Sequence, residues 1–336
     1  MAILLIGTTL LFGQHSKTEP PKVPGYLGET SYYVFYSHYW FNMHHFFQQE
    51  ALTSEVSQKS TIPETVWNQL SDPYKEKLNK VITYYKENLI DKDLRMSDYM
   101  SDFKQWVIAQ DENGFSSLPD KFKEHLAQLL TVDKIYRDVF WQGHLASNQE
   151  ILDDNLQLIT NTEHHVVDTL SSLTRQRWQI DKIRVDINFF AKSSRRNMRN
   201  RPYTSLFPTH VVMNSSGAAD TPRGNWLELL YHESSHHLIS SVSGFIGGTI
   251  KDIEDATGEK APRSLWHSYL FYFSGNVTQE ALKTQGIEGY EPYMIRNKVF
   301  SRHLPHLEKH LPSYINHDLT LKDATERIIN DFKTAR

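Results

Sequence analysis

The segment 225-NWLELLYHESSHHLI-239 combines the features of an amphipathic helix with a cluster of side chains that bind metals. Asn225 is a residue type that caps helices, and Glu228 three positions later completes a capping-box pattern. Apolar residues between them supply one buried face. The segment therefore predicts a helix that starts at Asn225, runs through Ile239 and ends near Gly244.

Two histidines of this helix are spaced to bind one ion. His232 and His236 are four residues apart, so both imidazoles project from the same helical face. Zinc takes nitrogen ligands at about 2.0–2.1 Å in a roughly tetrahedral array, which such a pair can supply. Glu233 cannot easily bind the same ion, but its carboxylate can reach a water held by the ion and act as general base. The pattern predicts a zinc-dependent hydrolase. The alternative is a helix that holds these residues without a metal.

A catalytic zinc site needs a third protein ligand, and two downstream residues are candidates. His267 lies in residues 264–272, which predict a buried helix, and a buried imidazole is costly without a partner. Glu280 lies in a more polar stretch and can simply be solvated. We therefore expect His267 as third ligand, with Glu280 as the alternative, although a core histidine bonded to the backbone would also fit. His237 points about 100° away from His236 and is not expected to bind the ion.

Residues 211–239, with a strand, a glycine-rich turn and the HESSH helix, resemble the zincin superfamily of metallopeptidases. Residues 265–272, 289–293 and 136–148 are similar to a group of exported bacterial zincin-like proteins within it. The likeness covers about half of the chain, and its one specific motif is HExxH.

The resemblance implies His232 and His236 as zinc ligands, Glu233 as the base, and His267 as the third ligand. It implies hydrolysis of an amide bond in a peptide or protein substrate. The chain departs from two branches of the superfamily. Val242 stands where a metzincin has its third histidine, and no Asn-Glu-x-x-Ser-Asp segment of the thermolysin type is present.

Substrate alignment and oxyanion stabilisation are two further roles that a hydrolase of this kind needs. In zincins the strand before the active helix often pairs with an extended substrate, which would be residues 210–214 here. An ordinary sheet strand is the alternative. Tyr272, Tyr290 and Tyr293 are candidates to stabilise the oxyanion, with Tyr293 first. In a chain with 17 Tyr, packing is the alternative for each of them.

Composition excludes several classes of function. The chain has 336 residues, 36 Lys plus Arg and 40 Asp plus Glu, so its net charge of −4 gives no general attraction to nucleic acid. It has no Cys, which excludes a thiol nucleophile and a cysteine zinc site. The remaining histidines, above all His38, His44, His45 and His164-His165, predict helix packing, with a second metal site as the alternative. The basic residues between 192 and 201 predict a solvated loop, or selection of an acidic substrate.

The beginning of the chain predicts export. Residues 2–13 are almost entirely apolar and too short to span a bilayer, and a polar, proline-containing stretch follows. We expect a signal peptide at 1–14, a polar linker at 15–30, and a periplasmic or secreted protein, although no basic residue precedes the apolar run. A buried strand is the alternative, and no other segment is apolar enough to predict a membrane span.

The periodicity of the remaining chain predicts an α+β fold, mostly helical, with a small sheet beside the HExxH helix. Helices are expected over 31–180, and the alternation in residues 183–189 predicts a half-buried strand, followed by another at 207–213. A zincin-like core is expected over 181–285 and helices over 286–336, or one compact domain over 31–336. Two other functions stay open: an exported metal-binding protein without catalysis, and a helical binding module without metal.

Overall fold

A computed structural model describes residues 23–57, 59–192, 200–206, 208–239 and 244–334 of the chain. The expected signal peptide, most of the basic stretch at 192–201, and Val242 lie outside the described residues. The protein is α+β and 61% helical, with a five-stranded mixed sheet, so the predicted fold class is confirmed at this level.

The elements follow one another along the chain with short connections. The strands are β1 (Tyr26–Glu29), β2 (Tyr33–Tyr36), β3 (Ile183–Asn188), β4 (Tyr203–Leu206) and β5 (Thr209–Asn214). The helices before β3 are α1 (Tyr39–Ser57), α2 (Glu64–Gln69), α3 (Asp72–Asn88), α4 (Asp98–Val107), α5 (Lys123–Tyr136) and α6 (Gln142–Thr174). The helices after β5 are α7 (Asn225–Ser234), α8 (Gly244–Thr257), α9 (Leu265–Thr284), α10 (Tyr293–Arg296), α11 (Leu304–Ile315) and α12 (Leu321–Thr334).

The strand order in the sheet is β1-β2-β3-β5-β4. The three central strands β2, β3 and β5 are parallel, with Val185 opposite Phe35 on one side and Val211 on the other. The edge strands β1 and β4 run antiparallel to their neighbours. The sheet therefore has two short antiparallel edges around a parallel centre.

Three of the five strands differ from the sequence-based expectation. β1 lies in the segment predicted as a linker, β2 lies where helices were expected, and β4 precedes the predicted strand at 207–213. That predicted strand is β5, which begins at Thr209. Each missed strand has four residues, too few for an alternating pattern to stand out from the aromatic residues around it.

β3 forms as predicted, but it is not half buried. Its polar residues Asp186 and Asn188 are fully buried, because helices cover both faces of the sheet. The Asp186 carboxylate accepts hydrogen bonds from the Arg184 guanidinium, at 2.6 and 3.1 Å, and contacts His210 Nε2 at 2.6 Å. These charge-assisted bonds offset the desolvation of the carboxylate. The alternating sequence pattern assigned the side chains of β3 to the correct faces of the sheet. It did not show that helices also cover the face that carries Asp186 and Asn188.

Each face of the sheet packs against its own hydrophobic core. Tyr33, Val185 and Val211 belong to the core formed with α6, α7, α8, α9, α11 and α12. Tyr203 and Val212 belong to the core formed with α1, α3, α4 and α5. The sheet thus separates two cores, and α7 lies on one face of it, next to β5 and β4.

Among the described residues, no helix is both long enough and apolar enough to cross a bilayer.

Candidate metal centre

The helix that holds the HExxH motif starts and ends differently from the prediction. Its N-cap is Gly224 with φ 94°, and no side chain caps it, so the capping-box prediction is wrong. Glu228 is instead fully buried and accepts hydrogen bonds from the Tyr290 hydroxyl and the Tyr293 backbone N–H. α7 ends at Ser234, and the next α-helix, α8, begins at Gly244 where a stop was predicted.

The chain after Ser234 tightens into a 3-10 turn, Ser235–His237, which carries the second histidine. The Ser234 and Ser235 hydroxyls donate to backbone carbonyls four residues earlier, at 2.6 Å each. Such bonds compete with regular helical hydrogen bonding and favour a change of helix type. His236 is therefore placed by a tight turn rather than by a continuous helix.

His232, His236 and His267 come together as the sequence predicts. One ring nitrogen of each lies within 4.8 Å of the others, and the centroids of the three rings are 5.2 to 5.3 Å apart. His232 Nε2 lies 3.3 Å from His267 Nε2. Among the described residues, this is the one group of three or more His, Asp or Glu side chains placed closely enough to share an ion.

The Ser274 hydroxyl lies against the ring of His232. Its oxygen is 3.4 Å from His232 Nδ1 and 3.4 Å from the Phe271 carbonyl oxygen. Metal-binding histidines commonly donate their second N–H to an oxygen atom placed in this way. The Phe271 ring stacks on His232 at 3.8 Å and fixes the plane of the imidazole.

All three imidazoles are kept neutral. Burial lowers the pKa of His236 to about 3 and that of His267 to about 4, and it lowers the pKa of His232 well below the usual range. The neighbouring imidazoles act in the same direction on His232 and His236. Neutral imidazole is the form that binds a metal. Three neutral nitrogen donors around one point fit zinc, which accepts such ligands in a tetrahedral site with one open position.

Glu233 lies beside this group and is held by the edge strand. Thr204 of β4 places its hydroxyl 2.8 Å from Glu233 Oε2 and 2.7 Å from the Glu233 carbonyl oxygen. The same Oε2 is 3.8 Å from His236 Nε2. Burial raises the pKa of Glu233 to about 7, while the Thr204 hydrogen bond and the charge of Arg95 oppose that rise. A carboxylate with such a pKa can take up and release protons near neutral pH.

The other ligand candidates lie apart from the three histidines. Glu280 is exposed and does not belong to the group. His237 donates from Nδ1 to the Ser234 carbonyl and packs edge-on against Trp178, as its helical angle predicts. The geometry therefore favours His267 over Glu280 as the third ligand.

The three tyrosine candidates differ in their surroundings. The Tyr290 hydroxyl donates to Glu228, so it is already engaged away from the histidines. Tyr293 stacks its ring on Phe271 with centroids 6.0 Å apart, and Phe271 in turn stacks on His232. Tyr272 packs against Phe273. Of the three, Tyr293 is the one that stacks on Phe271, the ring that contacts His232.

Of the remaining histidines named by the sequence, His38, His44 and His45 are buried in the packing between helices as expected, whereas His164 and His165 are exposed. His44 Nδ1 lies 3.0 Å from the Tyr85 hydroxyl, and His38 Nε2 lies 2.9 Å from the Gln110 carbonyl oxygen. His45 Nε2 lies 3.1 Å from the Tyr203 hydroxyl, and His164 lies beside Tyr32 and Ser31. Within the described parts of the chain these side chains do not form a second group of three close metal-binding residues.

Arg95, in the connection between α3 and α4, is a charged neighbour that sequence reasoning missed. Its charge lowers the pKa of Glu233, His236 and His267. Arg95 is 138 residues or more from these side chains in sequence and carries no motif, so only the fold reveals it.

Comparisons of the chain with protein-family models, with curated proteins and with solved structures found no match. The residues of the centre itself are therefore the evidence for function.

Proposed function

We propose that the protein is a zinc-dependent hydrolase of the metallopeptidase type, with His232, His236 and His267 as ligands and Glu233 as general base. The observation that supports this most is the convergence of three neutral imidazoles from two helices, with a buried carboxylate beside them. A structural zinc site is normally closed by a fourth protein ligand. Here the described residues supply three, as catalytic zinc sites do.

The chain's own residues account for the acid–base part of the reaction. A zinc ion held by these ligands would polarise a carbonyl group and acidify a water molecule. Glu233 then accepts a proton from the attacking water and returns it to the leaving amine. Its pKa of about 7 suits both steps, because neither protonation state is strongly favoured at neutral pH. The water adds across the amide bond and leaves a carboxylic acid and an amine.

The sheet also bears on how a substrate is aligned. β5 was predicted to pair with an extended substrate, but β3 and β4 occupy both of its edges, so that prediction is wrong. β4 is the edge strand, and its Thr204 contacts Glu233 directly. Tyr203, Thr204 and Ser205 of β4 are themselves buried. We therefore infer that β4 positions Glu233 rather than pairing with the substrate.

Zinc content and peptide hydrolysis test the proposal together. We expect the purified protein to bind one zinc ion, His267→Ala to weaken that binding strongly, and Glu280→Ala to leave it unchanged. Glu233→Gln should keep the zinc and lose hydrolysis of a peptide library by a factor of about 10²–10⁴. The Glu280 variant is the matched control, since it changes another polar side chain of α9.

The outcomes separate the rival functions. A protein that binds zinc stoichiometrically but cleaves no peptide would be a non-catalytic metal-binding protein. A protein that binds no zinc would refute the metal centre. Export, which the apolar run at 2–13 predicts, is a separate proposal that cell fractionation of the full chain tests.

A further inference from the structure

Five non-glycine residues in the described parts of the chain have backbone φ angles in the left-handed region. They are Arg175, Ser264, Lys298, Phe300 and His317, with φ between 49° and 63°. L-residues rarely adopt this conformation, because Cβ approaches the backbone too closely, and for a bulky side chain it is a mark of strain. Strain of this kind is concentrated at functional sites. Each of the five therefore calls for a structural reason.

Three of the five close the C-terminus of a helix. After α10, the Lys298 N–H donates to the Ile295 carbonyl at 3.1 Å, and the N–H of the following residue donates to the Met294 carbonyl at 2.9 Å. This pair of bonds is the Schellman motif, which favours a left-handed residue just beyond the helix, here Lys298. Arg175 after α6 and His317 after α11 occupy the same position, since the N–H that follows each returns to the carbonyl five residues earlier.

The other two, Ser264 and Phe300, lie on either side of the candidate metal centre. Ser264 is the N-cap of α9, and its carbonyl accepts the His267 N–H at 3.0 Å, so its conformation also has a helical reason. Phe300 neither caps nor closes a helix. Its ring meets the His267 imidazole edge-on, with centroids 5.5 Å apart, and lies 6.0 Å from the ring of Phe271. The one strained residue without a helical reason thus contacts a proposed metal ligand.

Phe300 and Trp266 form a pair of rings around His267, which we call the aromatic clamp. Trp266 stacks on the face of His267 with centroids 4.9 Å apart, and its ring lies 6.0 Å from that of His236. Both rings of the clamp are partly exposed, so part of each is free of contacts with the core. Two aromatic surfaces therefore border the third ligand, one on its face and one at its edge.

We propose that Phe300 is a specificity-determining residue, and that the aromatic clamp binds an aromatic or large apolar side chain of the substrate next to the bond that is cleaved. Aromatic rings attract one another beyond the area that they bury, in offset or edge-to-face arrangements. The strained backbone costs stability but holds the Phe300 ring beside His267, so that little freedom is lost when a ligand binds. This inference depends on the proposed hydrolase function and names the side chain that the substrate presents at the centre.

Glycine variants test the role of the ring without adding strain, because glycine adopts a left-handed backbone readily. Acetohydroxamic acid and 3-phenylpropionohydroxamic acid share a zinc-binding group, and only the second carries an aromatic ring. Titrated calorimetrically into zinc-loaded wild type, the phenyl probe should bind at least about tenfold more tightly, as an apolar group in a matching pocket does. In Phe300→Gly this ratio should fall several-fold, with zinc stoichiometry retained.

Two control variants should keep the wild-type ratio. Lys298→Gly removes an exposed side chain from the neighbouring left-handed position and relieves the same kind of backbone strain. Phe300→Tyr keeps an aromatic ring at the position in question. In a peptide library, wild type and both controls should prefer Phe, Tyr or Leu over Gly and Ala beside the cleaved bond, and Phe300→Gly should lose that preference.

Binding decides this inference separately from catalysis. Tighter binding of the phenyl probe that depends on Phe300 supports it even if the wild type cleaves no peptide, a result that would refute only the hydrolase. Equal binding of the two probes to zinc-loaded wild type would overturn the inference, and so would an unchanged ratio in Phe300→Gly. Loss of zinc, or equal losses for both probes, in Phe300→Gly would show that the ring merely supports His267 and would overturn it as well. A wild type without zinc would refute the metal centre and the inference together.

Discussion

Thr204 has one hydroxyl proton and two oxygen atoms of Glu233 within hydrogen-bond distance, at 2.7 and 2.8 Å. It can donate to only one of them at a time. The contact with Oε2 is therefore a hydrogen bond either when the Thr204 hydroxyl proton points toward Oε2 or when a protonated Glu233 donates to the Thr204 oxygen. In either case Thr204 fixes the orientation of the carboxyl group. Thr204 is a positioning residue, because it acts on the reaction through Glu233.

Removing this hydroxyl should change the acid–base step without removing the metal. We expect Thr204→Val to lower kcat about tenfold, the equivalent of one hydrogen bond to a charged group, with KM little changed. The hydrogen bond from Thr204 lowers the pKa of Glu233. Its loss should therefore raise that pKa and shift the acidic limb of the pH profile of kcat to higher pH than in wild type. Thr204→Ser keeps the hydroxyl and should restore both values. A pH profile identical to wild type in the valine variant would refute the positioning role.

At this scale the sequence predicted the residues that follow local rules. His232 and His236 are recognisable because a helix places residues four apart on one face, and His267 because an imidazole in an apolar helix requires a partner. Thr204 and Arg95 follow no local rule. They reach Glu233 from an edge strand and from a distant loop, and their relation to it exists only in the folded chain.

Among the elements, α7 is tied to α9 and α10 by the buried Glu228 carboxylate. Its two oxygens contact the Tyr293 backbone nitrogen at 3.0 and 2.8 Å, and the Tyr290 hydroxyl donates to one of them. Gly275 of α9 permits this approach, since a Cβ there would lie 3.1 Å from Glu228 Oε1 and 2.9 Å from Pro292 Cβ. The link therefore fixes the position of Tyr293 relative to α7, which carries His232.

The same carboxylate should make stability depend on pH. Burial raises the pKa of Glu228 from 4.5 to about 7, although the bonds from Tyr290 and Tyr293 oppose the rise. Between pH 4.5 and 7 the folded protein therefore binds more protons at this site than the unfolded chain, and stability falls as pH rises. The amide in Glu228→Gln keeps a hydrogen-bond acceptor and a donor but does not titrate. The fall in the free energy of unfolding between pH 4.5 and 7 should therefore be smaller in this variant, by up to about 3 kcal/mol.

Chemical denaturation of the zinc-free protein at pH 4.5 and 7.5 measures the effect. The difference between wild type and Glu228→Gln at each pH isolates the Glu228 contribution from the other titrating groups. The free energy of unfolding of the variant, relative to that of wild type, should increase as pH rises. A constant difference would mean that the pKa of Glu228 is the same in the folded protein as in the unfolded chain.

Long helices and strands could be predicted from the sequence pattern more readily than short ones. α3, whose buried residues Leu78, Val81, Ile82 and Tyr85 repeat at helical spacing, follows from the pattern alone. The four-residue strands β1, β2 and β4 do not, because they depend on pairing with distant strands. Glu228 shows the same limit within a helix: its position suggested a cap, but its tertiary partners determine its role, namely Tyr290 in the connection before α10 and Tyr293 at the start of α10.

Across the whole molecule, the candidate centre lies where the two cores approach each other. Its ligands come from α7 and α9, which belong to the core on one face of the sheet. Thr204 belongs to the edge strand, and Arg95 follows α3, whose buried face belongs to the other core. An ion bound by His232, His236 and His267 would connect α7 and the turn that follows it to α9.

Zinc should therefore stabilise the folded protein as a whole. An ion that binds only the folded state adds RT ln(1 + [L]/Kd), about 4 kcal/mol at a free concentration 1,000 times Kd. Thermal unfolding with zinc and with a chelator should differ by several degrees in wild type and in Glu280→Ala, and hardly at all in His267→Ala. The difference should shrink as pH falls toward about 4, where His267 binds a proton in competition with the metal. A zinc effect of equal size in His267→Ala would show that the ion binds elsewhere, because a two-histidine remnant cannot retain the full affinity of three ligands.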